Sequence, residues 1–170
     1  MAFSMLPTII VDSVTDLTPD MLAERGIELL MLDFDNTIVP YTTDIPEPLM
    51  EQWLYDMKLS DITLCVVSNS KRDRVRIFCK RYGIACITHA KKPFPKGIRE
   101  CLRKYGLAPE KCALAGAQIF TDTMGARSCG LTAILVTAID SHTIWLKLRH
   151  VAELPFIYLA RNRRIDHEES

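Results

Sequence analysis

No apolar run in this chain is long enough to cross a bilayer; the stretch from Val151 to Ala160 is short and interrupted by Glu153 and Pro155. No charge of one sign is in excess either. Lys and Arg number 21 against 21 Asp and Glu, which removes the electrostatic argument for a nucleic-acid partner. Met1 to Pro7 lack the basic start and long apolar core of a secretory signal. The six cysteines (Cys65, Cys79, Cys86, Cys101, Cys112 and Cys129) make no CxxC pair and sit in apolar segments. Such thiols suit a reducing cytosol, not a disulfide scaffold or a zinc site. His89, His142, His150 and His167 also lack ligand spacing, and no repeat or low-complexity segment is present. What remains is a chain of 170 residues, 48% apolar and 25% charged, able to bury one core. The expectation is one soluble cytoplasmic domain over residues 1–170, with 141–170 a C-terminal helical extension and polar tail.

Short apolar segments alternate with capped helices. Ile27 to Leu32 is almost wholly apolar, as a parallel strand covered on both faces should be. Ile62 to Val67, Ile84 to Ile87, Ala113 to Ala115 and Thr132 to Val136 read similarly. Helices are expected between them. Thr18 caps one that starts at Pro19 and stops at Gly26. Glu47 to Lys58 sets Leu49, Met50, Trp53, Leu54 and Met57 at helical spacing. Ser70 can cap a helix to Tyr82 with Gly83 as its stop; others run from near Pro95 to Gly106 and from about Thr121 to Cys129. Alternating strands and helices predict an α/β fold whose parallel sheet is covered on both faces, with reactive groups beyond the carboxyl ends of the strands.

Those strand ends carry distinctive residues. The first leads into Asp33-Phe34-Asp35-Asn36-Thr37, and in extended chain residues two apart point the same way. Two adjacent carboxylates repel unless a cation or shared proton relieves them, and Mg²⁺ suits hard oxygen ligands and phosphate. One aspartate could then attack phosphorus while the other protonates the leaving oxygen. Taken alone, the pair reads first as an acidic strand-end turn. Ser68-Asn69-Ser70 follows the next strand and reads either as a helix cap or as a phosphate cradle. Lys91-Lys92-Pro93 follows the third; alone it is a solvated basic loop, and beside an aspartate nucleophile it would neutralise a phosphoryl group. The fourth strand end is Gly116-Ala117-Gln118-Ile119-Phe120-Thr121-Asp122. A receiver domain shares the acids, hydroxyl and lysine, but needs its phospho-accepting aspartate on a middle strand, and none occurs between Ile62 and Ser70.

The ordered set resembles the haloacid dehalogenase (HAD) phosphatase superfamily. With Asp12-Ser13 through Thr18-Pro19 and Glu24-Arg25-Gly26-Ile27, it is similar to the YqeG branch and to phosphatidylglycerophosphate (PGP) phosphatases, over roughly Leu6 to Val136. The resemblance implies a HAD-like Rossmannoid three-layer sandwich with a central parallel sheet. It implies Asp33 as nucleophile and Asp35 as acid and base. Ser68 and Asn69 would bind the phosphoryl group, and Lys92 would stabilise its charge. Mg²⁺ would be held by the Asp33 carboxylate, the Asp35 carbonyl and the loop around Asp122. The two dozen residues between Asp35 and the second strand leave no room for a cap domain, so an open site would suit a bulky phosphate monoester such as a phospholipid headgroup.

The family pattern has aspartate where this chain has Ala117. A methyl cannot coordinate, and three readings stay open: an enzyme with poor metal affinity, a non-catalytic homologue that binds phosphate or a partner, or an introduced inactivating change. A phosphatase for a soluble phosphate ester is a further alternative. Near the C-terminus, Trp145, Leu148, Phe156 and Tyr158 interleave with Lys147, Arg149, Arg161, Arg163 and Arg164. That mixture reads as a terminal helix packed on the sheet or as a peripheral membrane contact. Nothing in the sequence bears on oligomeric state.

Overall fold

A computed structural model describes residues 5–71 and 73–140. Within these residues six strands form one sheet: β1 (Ile9–Val11), β2 (Leu29–Leu32), β3 (Thr63–Val67), β4 (Ala85–Ile87), β5 (Cys112–Gly116) and β6 (Thr132–Val136). Their order is β1-β6-β5-β2-β3-β4 and every pairing is parallel. Among the described residues five α-helices accompany them: α1 (Pro19–Ala23), α2 (Pro48–Leu59), α3 (Asp73–Tyr82), α4 (Lys96–Tyr105) and α5 (Met124–Ser128).

The two-residue alternation of a strand divides the core into two layers. Leu30 and Leu32 of β2 join Leu22, Trp53, Leu54, Val75 and Phe78 from α1, α2 and α3. Leu29 and Met31 face Ile98, Cys101 and Ala126 from α4 and α5. All four β2 side chains are fully buried, which is why this strand reads as an unbroken apolar run. The result is the α/β three-layer sandwich with a central parallel sheet. The indole N–H of Trp53 donates to the Leu17 carbonyl at 2.7 Å, tying α2 to the segment before α1.

The Thr18 cap is present, its hydroxyl accepting from the Met21 N–H at 3.1 Å. Four details differ from the sequence reading. β1 was not anticipated; three residues give too short a pattern, and its place beside β6 comes from tertiary pairing. The first anticipated strand starts at Leu29 because Ile27 closes the turn after α1, its N–H on the Leu22 carbonyl. α3 starts at Asp73, so Ser70 is a loop residue whose N–H donates to the Ser68 hydroxyl at 3.1 Å. The helix expected from Thr121 opens instead with a π-turn over Ile119–Thr123, in which the Thr123 N–H reaches the Gln118 carbonyl five residues back. The anticipated C-terminal extension, tail and basic-aromatic segment lie outside the described residues.

Candidate active site

Asp33 leaves β2 still anchored to the sheet, its N–H donating to the Ala115 carbonyl at 2.9 Å. The chain then turns sharply. Asn36 adopts a left-handed conformation (φ 59°), and its side-chain oxygen accepts from the Tyr41 N–H at 3.2 Å. Asparagine tolerates that backbone better than most residues. Asp33 is 8% exposed, and Asp35 is more open, with 23% of its side chain exposed.

Across from β2, the loop after β4 delivers Lys92. His89 and Lys91 both take left-handed backbone (φ 55° and 59°), so neighbours must hold this loop in shape. Asn69 does so: its Oδ1 accepts from the Lys92 N–H at 2.6 Å and its Nδ2 donates to the Lys92 carbonyl at 2.8 Å. Asn69 thereby faces the lysine main chain as well as the site, and Nδ2 retains a second hydrogen. The Lys92 ammonium lies 2.8 Å from Asp33 Oδ1 and 2.7 Å from Asp122 Oδ1, in a pocket where the lysine is 4% exposed.

The π-turn explains how Asp122 reaches inward. Its second oxygen, Oδ2, accepts from the Gln118 N–H at 3.1 Å, and the carboxylate lies over Gly116. A Cβ at Gly116 would overlap Asp122 Oδ2, so this close approach requires glycine. Burial pushes Asp122 up to about 6, Lys92 opposing and Asp33 adding to the shift. Burial pulls the Lys92 ammonium down, but Asp122 and Asp33 outweigh it and leave its pKa above the ordinary lysine value.

Asp33, Ser68, Asn69, Lys92 and Asp122 are thus gathered at the carboxyl ends of β2, β3, β4 and β5. Ser68 is buried, and its hydroxyl closes the turn onto the Ser70 N–H. Asp35 lies to one side of Lys92, paired with a residue the sequence reading missed. Arg74 of α3 sets its Nη2 3.1 Å from Asp35 Oδ1 and its Nε 2.8 Å from Asp44 Oδ1. Its position beside Val75 and one turn before Phe78, on the inward face of α3, was the available signal.

As a donor set for a divalent cation the site is partly built. Among the described residues no group of three His, Cys, Asp or Glu side chains converges on a metal-sized point. Lys92 and the Gln118 N–H engage both oxygens of Asp122, and Ala117 offers a methyl packed against the core. The Asp33 carboxylate and the Asp35 carbonyl are hard oxygen donors, and Mg²⁺ accepts so small a protein contribution when water and phosphate complete its shell. The Thr37 hydroxyl, buried in the same turn, has no hydrogen-bond partner among the described residues. The donors therefore suit a divalent cation whose shell is completed by water and phosphate.

Residues 2–139 match the family described as mitochondrial PGP phosphatase. The chain is 33% identical over 136 residues to "Probable phosphatase YqeG" of Bacillus subtilis (strain 168), covering 80% of this chain and 79% of that protein. In fold it is similar to the cobalt-bound deoxy-D-mannose-octulosonate 8-phosphate phosphatase of Haemophilus influenzae. That comparison gives a TM-score of 0.53 and 14% identity, over 67% of this chain and 80% of the other. It is similar as well to the D,D-heptose 1.7-bisphosphate phosphatase of B. bronchiseptica complexed with magnesium and phosphate, with TM-score 0.51 and 17% identity over 64% and 80% of the two chains.

Proposed function

The chain belongs to the mitochondrial PGP phosphatase family and is a phosphatase of the HAD type; on that footing we propose that it hydrolyses a phosphate monoester through an aspartyl-phosphate on Asp33, with Mg²⁺ as its metal. The observation that carries this reading is the buried Lys92 ammonium bridging Asp33 and Asp122. A cation so placed stabilises an ionised Asp33 and would stabilise the phosphoryl group that Asp33 receives.

The proposed reaction uses these atoms. Lys92 holds Oδ1 of Asp33, and Oδ2 attacks phosphorus. The bond from phosphorus to the alcohol oxygen breaks, and Asp35 gives that oxygen a proton. Water then attacks the phosphorus of the aspartyl-phosphate, Asp35 takes its proton, and inorganic phosphate leaves with the Asp33 carboxylate restored. Ser68 and the second amide hydrogen of Asn69 would bind the transferring phosphoryl oxygens. Bound Mg²⁺ would supply charge neutralisation, held by the Asp33 carboxylate and the Asp35 carbonyl. Asp122 would contribute at one remove, through Lys92, since both of its oxygens are engaged.

The substrate we propose is phosphatidylglycerophosphate. Only a short loop separates the turn after β2 from α2 at Pro48, so among the described residues no element inserted there encloses the site. An open site accommodates a headgroup still attached to its lipid, presented at a membrane surface. Ala117 favours a second reading, a homologue that binds phosphate without turning it over. The test is phosphate release, with Mg²⁺, from PGP vesicles and from an aryl phosphate, comparing the chain with Ala117→Asp and Asp33→Asn. Release that Asp33→Asn abolishes supports the enzyme; release only from Ala117→Asp supports the binding homologue. Silence from both, with metal bound, would overturn the phosphatase assignment.

A further inference from the structure

Arg74 belongs to none of the strand-end motifs, yet each nitrogen of its guanidinium meets an oxygen of the protein. Nη1 donates to the Tyr41 carbonyl at 2.7 Å, and Nη2 to the Thr43 and Pro40 carbonyls at 3.0 and 3.3 Å. Nε is ion-paired with Asp44 at 2.8 Å, and the group lies over the Phe34 ring, 5.1 Å from its centroid. Among the described residues, its one polar partner outside the 40–44 loop is Asp35 Oδ1, an ion pair at 3.1 Å without hydrogen-bond alignment. The arginine side chain is 11% exposed. All three guanidinium nitrogens thus have partners within the protein, with Nε meeting Asp44 as an ion pair and not as a hydrogen bond.

A guanidinium that served only to fold the loop would have no need of Asp35. One that served only as a charge beside Asp35 would have no need of three carbonyls. We infer that Arg74 is a positioning residue for Asp35, locking its carboxylate to the 40–44 loop so that the acid–base oxygen meets the leaving alcohol at a fixed place. The same loop, with Arg74 and Ile45, lines an open cleft of about 770 Å³. The planar fork is what makes the lock: it reaches several acceptors in one plane, whereas a lysine ammonium keeps the charge and loses the fan. This inference rests on the assignment of Asp35 as acid and base.

The test separates proton donation from general integrity. Arg74→Lys, and Asp44→Asn as a milder variant that loosens Arg74 from the far side, are made in the parent and in Ala117→Asp. For each, kcat/KM is measured with an aryl phosphate, whose leaving group needs little protonation, and with an alkyl phosphate such as glycerol phosphate, whose leaving group needs it. Misplacing a general acid costs on the order of 10–100-fold. The expected result is a fall of about 30-fold for the alkyl ester in Arg74→Lys against less than about 3-fold for the aryl ester. Asp44→Asn should give a smaller difference of the same sign. Equal losses on both esters, or none, would overturn the inference. If neither background hydrolyses either ester, the phosphatase reading falls by itself and amide hydrogen exchange judges the lock. Faster exchange confined to residues 36–45 in Arg74→Lys supports it, and unchanged exchange there refutes it.

Discussion

Replacing Lys92 by methionine keeps most of the side chain's length and volume while deleting its charge. Two buried carboxylates, Asp33 and Asp122, then lose the ammonium that sits 2.8 and 2.7 Å from them. At an effective dielectric of about 20, unit charges 2.7 Å apart attract by about 6 kcal/mol. The desolvation of the buried charges offsets much of this, and breaking such a pair by removing one partner costs about 3–5 kcal/mol net. Lys92→Met is therefore expected to lose about 3–5 kcal/mol in urea unfolding at pH 7. The loss should depend on pH in a definite direction. Asp122 already sits at about 6 with Lys92 opposing the shift, so removing Lys92 drives it higher. A carboxyl whose folded pKa is raised contributes stability that is present at low pH and disappears as pH rises through the folded value. The deficit should thus be small near pH 5 and grow towards pH 8. The double variant Lys92→Met, Asp122→Leu removes the stranded charge and should lose less than Lys92→Met alone. A deficit below about 1 kcal/mol, or one flat from pH 5 to 8, would refute the bridge as the organiser of this site.

Three other outcomes follow from the packing and the site. Gly116→Ala would drive a Cβ into the buried Asp122 carboxylate and is expected to cost about 1–3 kcal/mol by urea unfolding; a neutral substitution would mean that the close approach is absent. Trp53→Phe leaves the buried Leu17 carbonyl without its indole donor and should cost about 1–3 kcal/mol, read the same way. Because Asp122 titrates near 6 and its ionised form supplies negative charge beside Asp33, Mg²⁺ affinity measured by calorimetry should fall between pH 7 and pH 5; affinity indifferent to pH there would count against any part for Asp122 in metal binding.

Strand β2 could be read from its letters because a strand buried on both faces has no polar positions to confuse the pattern, and Leu29 to Leu32 are all fully buried. The residues at the ends of β2, β3 and β5 were legible for a related reason: a parallel sheet brings successive strand ends to one edge, so Asp33, Ser68 and Asp122 had to be near one another once the strands were right. β1 escaped because its pairing with β6 spans most of the chain and three residues carry no periodicity. The π-turn escaped because a single wider turn leaves the apolar spacing of the following helix unchanged. The tie between Asn69 and the Lys92 main chain, and the fan of Arg74, depend on loop geometry that no local pattern encodes. Both concern residues whose neighbours are distant in sequence.

The charges at the site also say how its metal would behave. Arg74 is shared between Asp35 and the more exposed Asp44, and of the pair formed by Asp33 and Asp122 one charge is cancelled by Lys92. The cluster of Asp33, Lys92 and Asp122 is left with a single net negative charge, because position 117 supplies a methyl in place of a carboxylate. That is a poor attraction for an ion that surrenders its water reluctantly. A phosphate dianion bound at Ser68 and Lys92 changes the balance by adding charge and hard oxygen ligands together. Metal and phosphate should therefore bind this chain cooperatively, each tightening the other by the same factor, as linkage requires. Calorimetric titration of Mg²⁺ with and without inorganic phosphate measures that factor, and titration of phosphate with and without Mg²⁺ measures it again. The expected value is roughly tenfold or more, about 1.4 kcal/mol of coupling. Ala117→Asp restores a carboxylate, so it should tighten Mg²⁺ alone and shrink the coupling. Mg²⁺ that binds the parent tightly without phosphate, or a coupling unchanged by Ala117→Asp, would show that position 117 does not govern the metal.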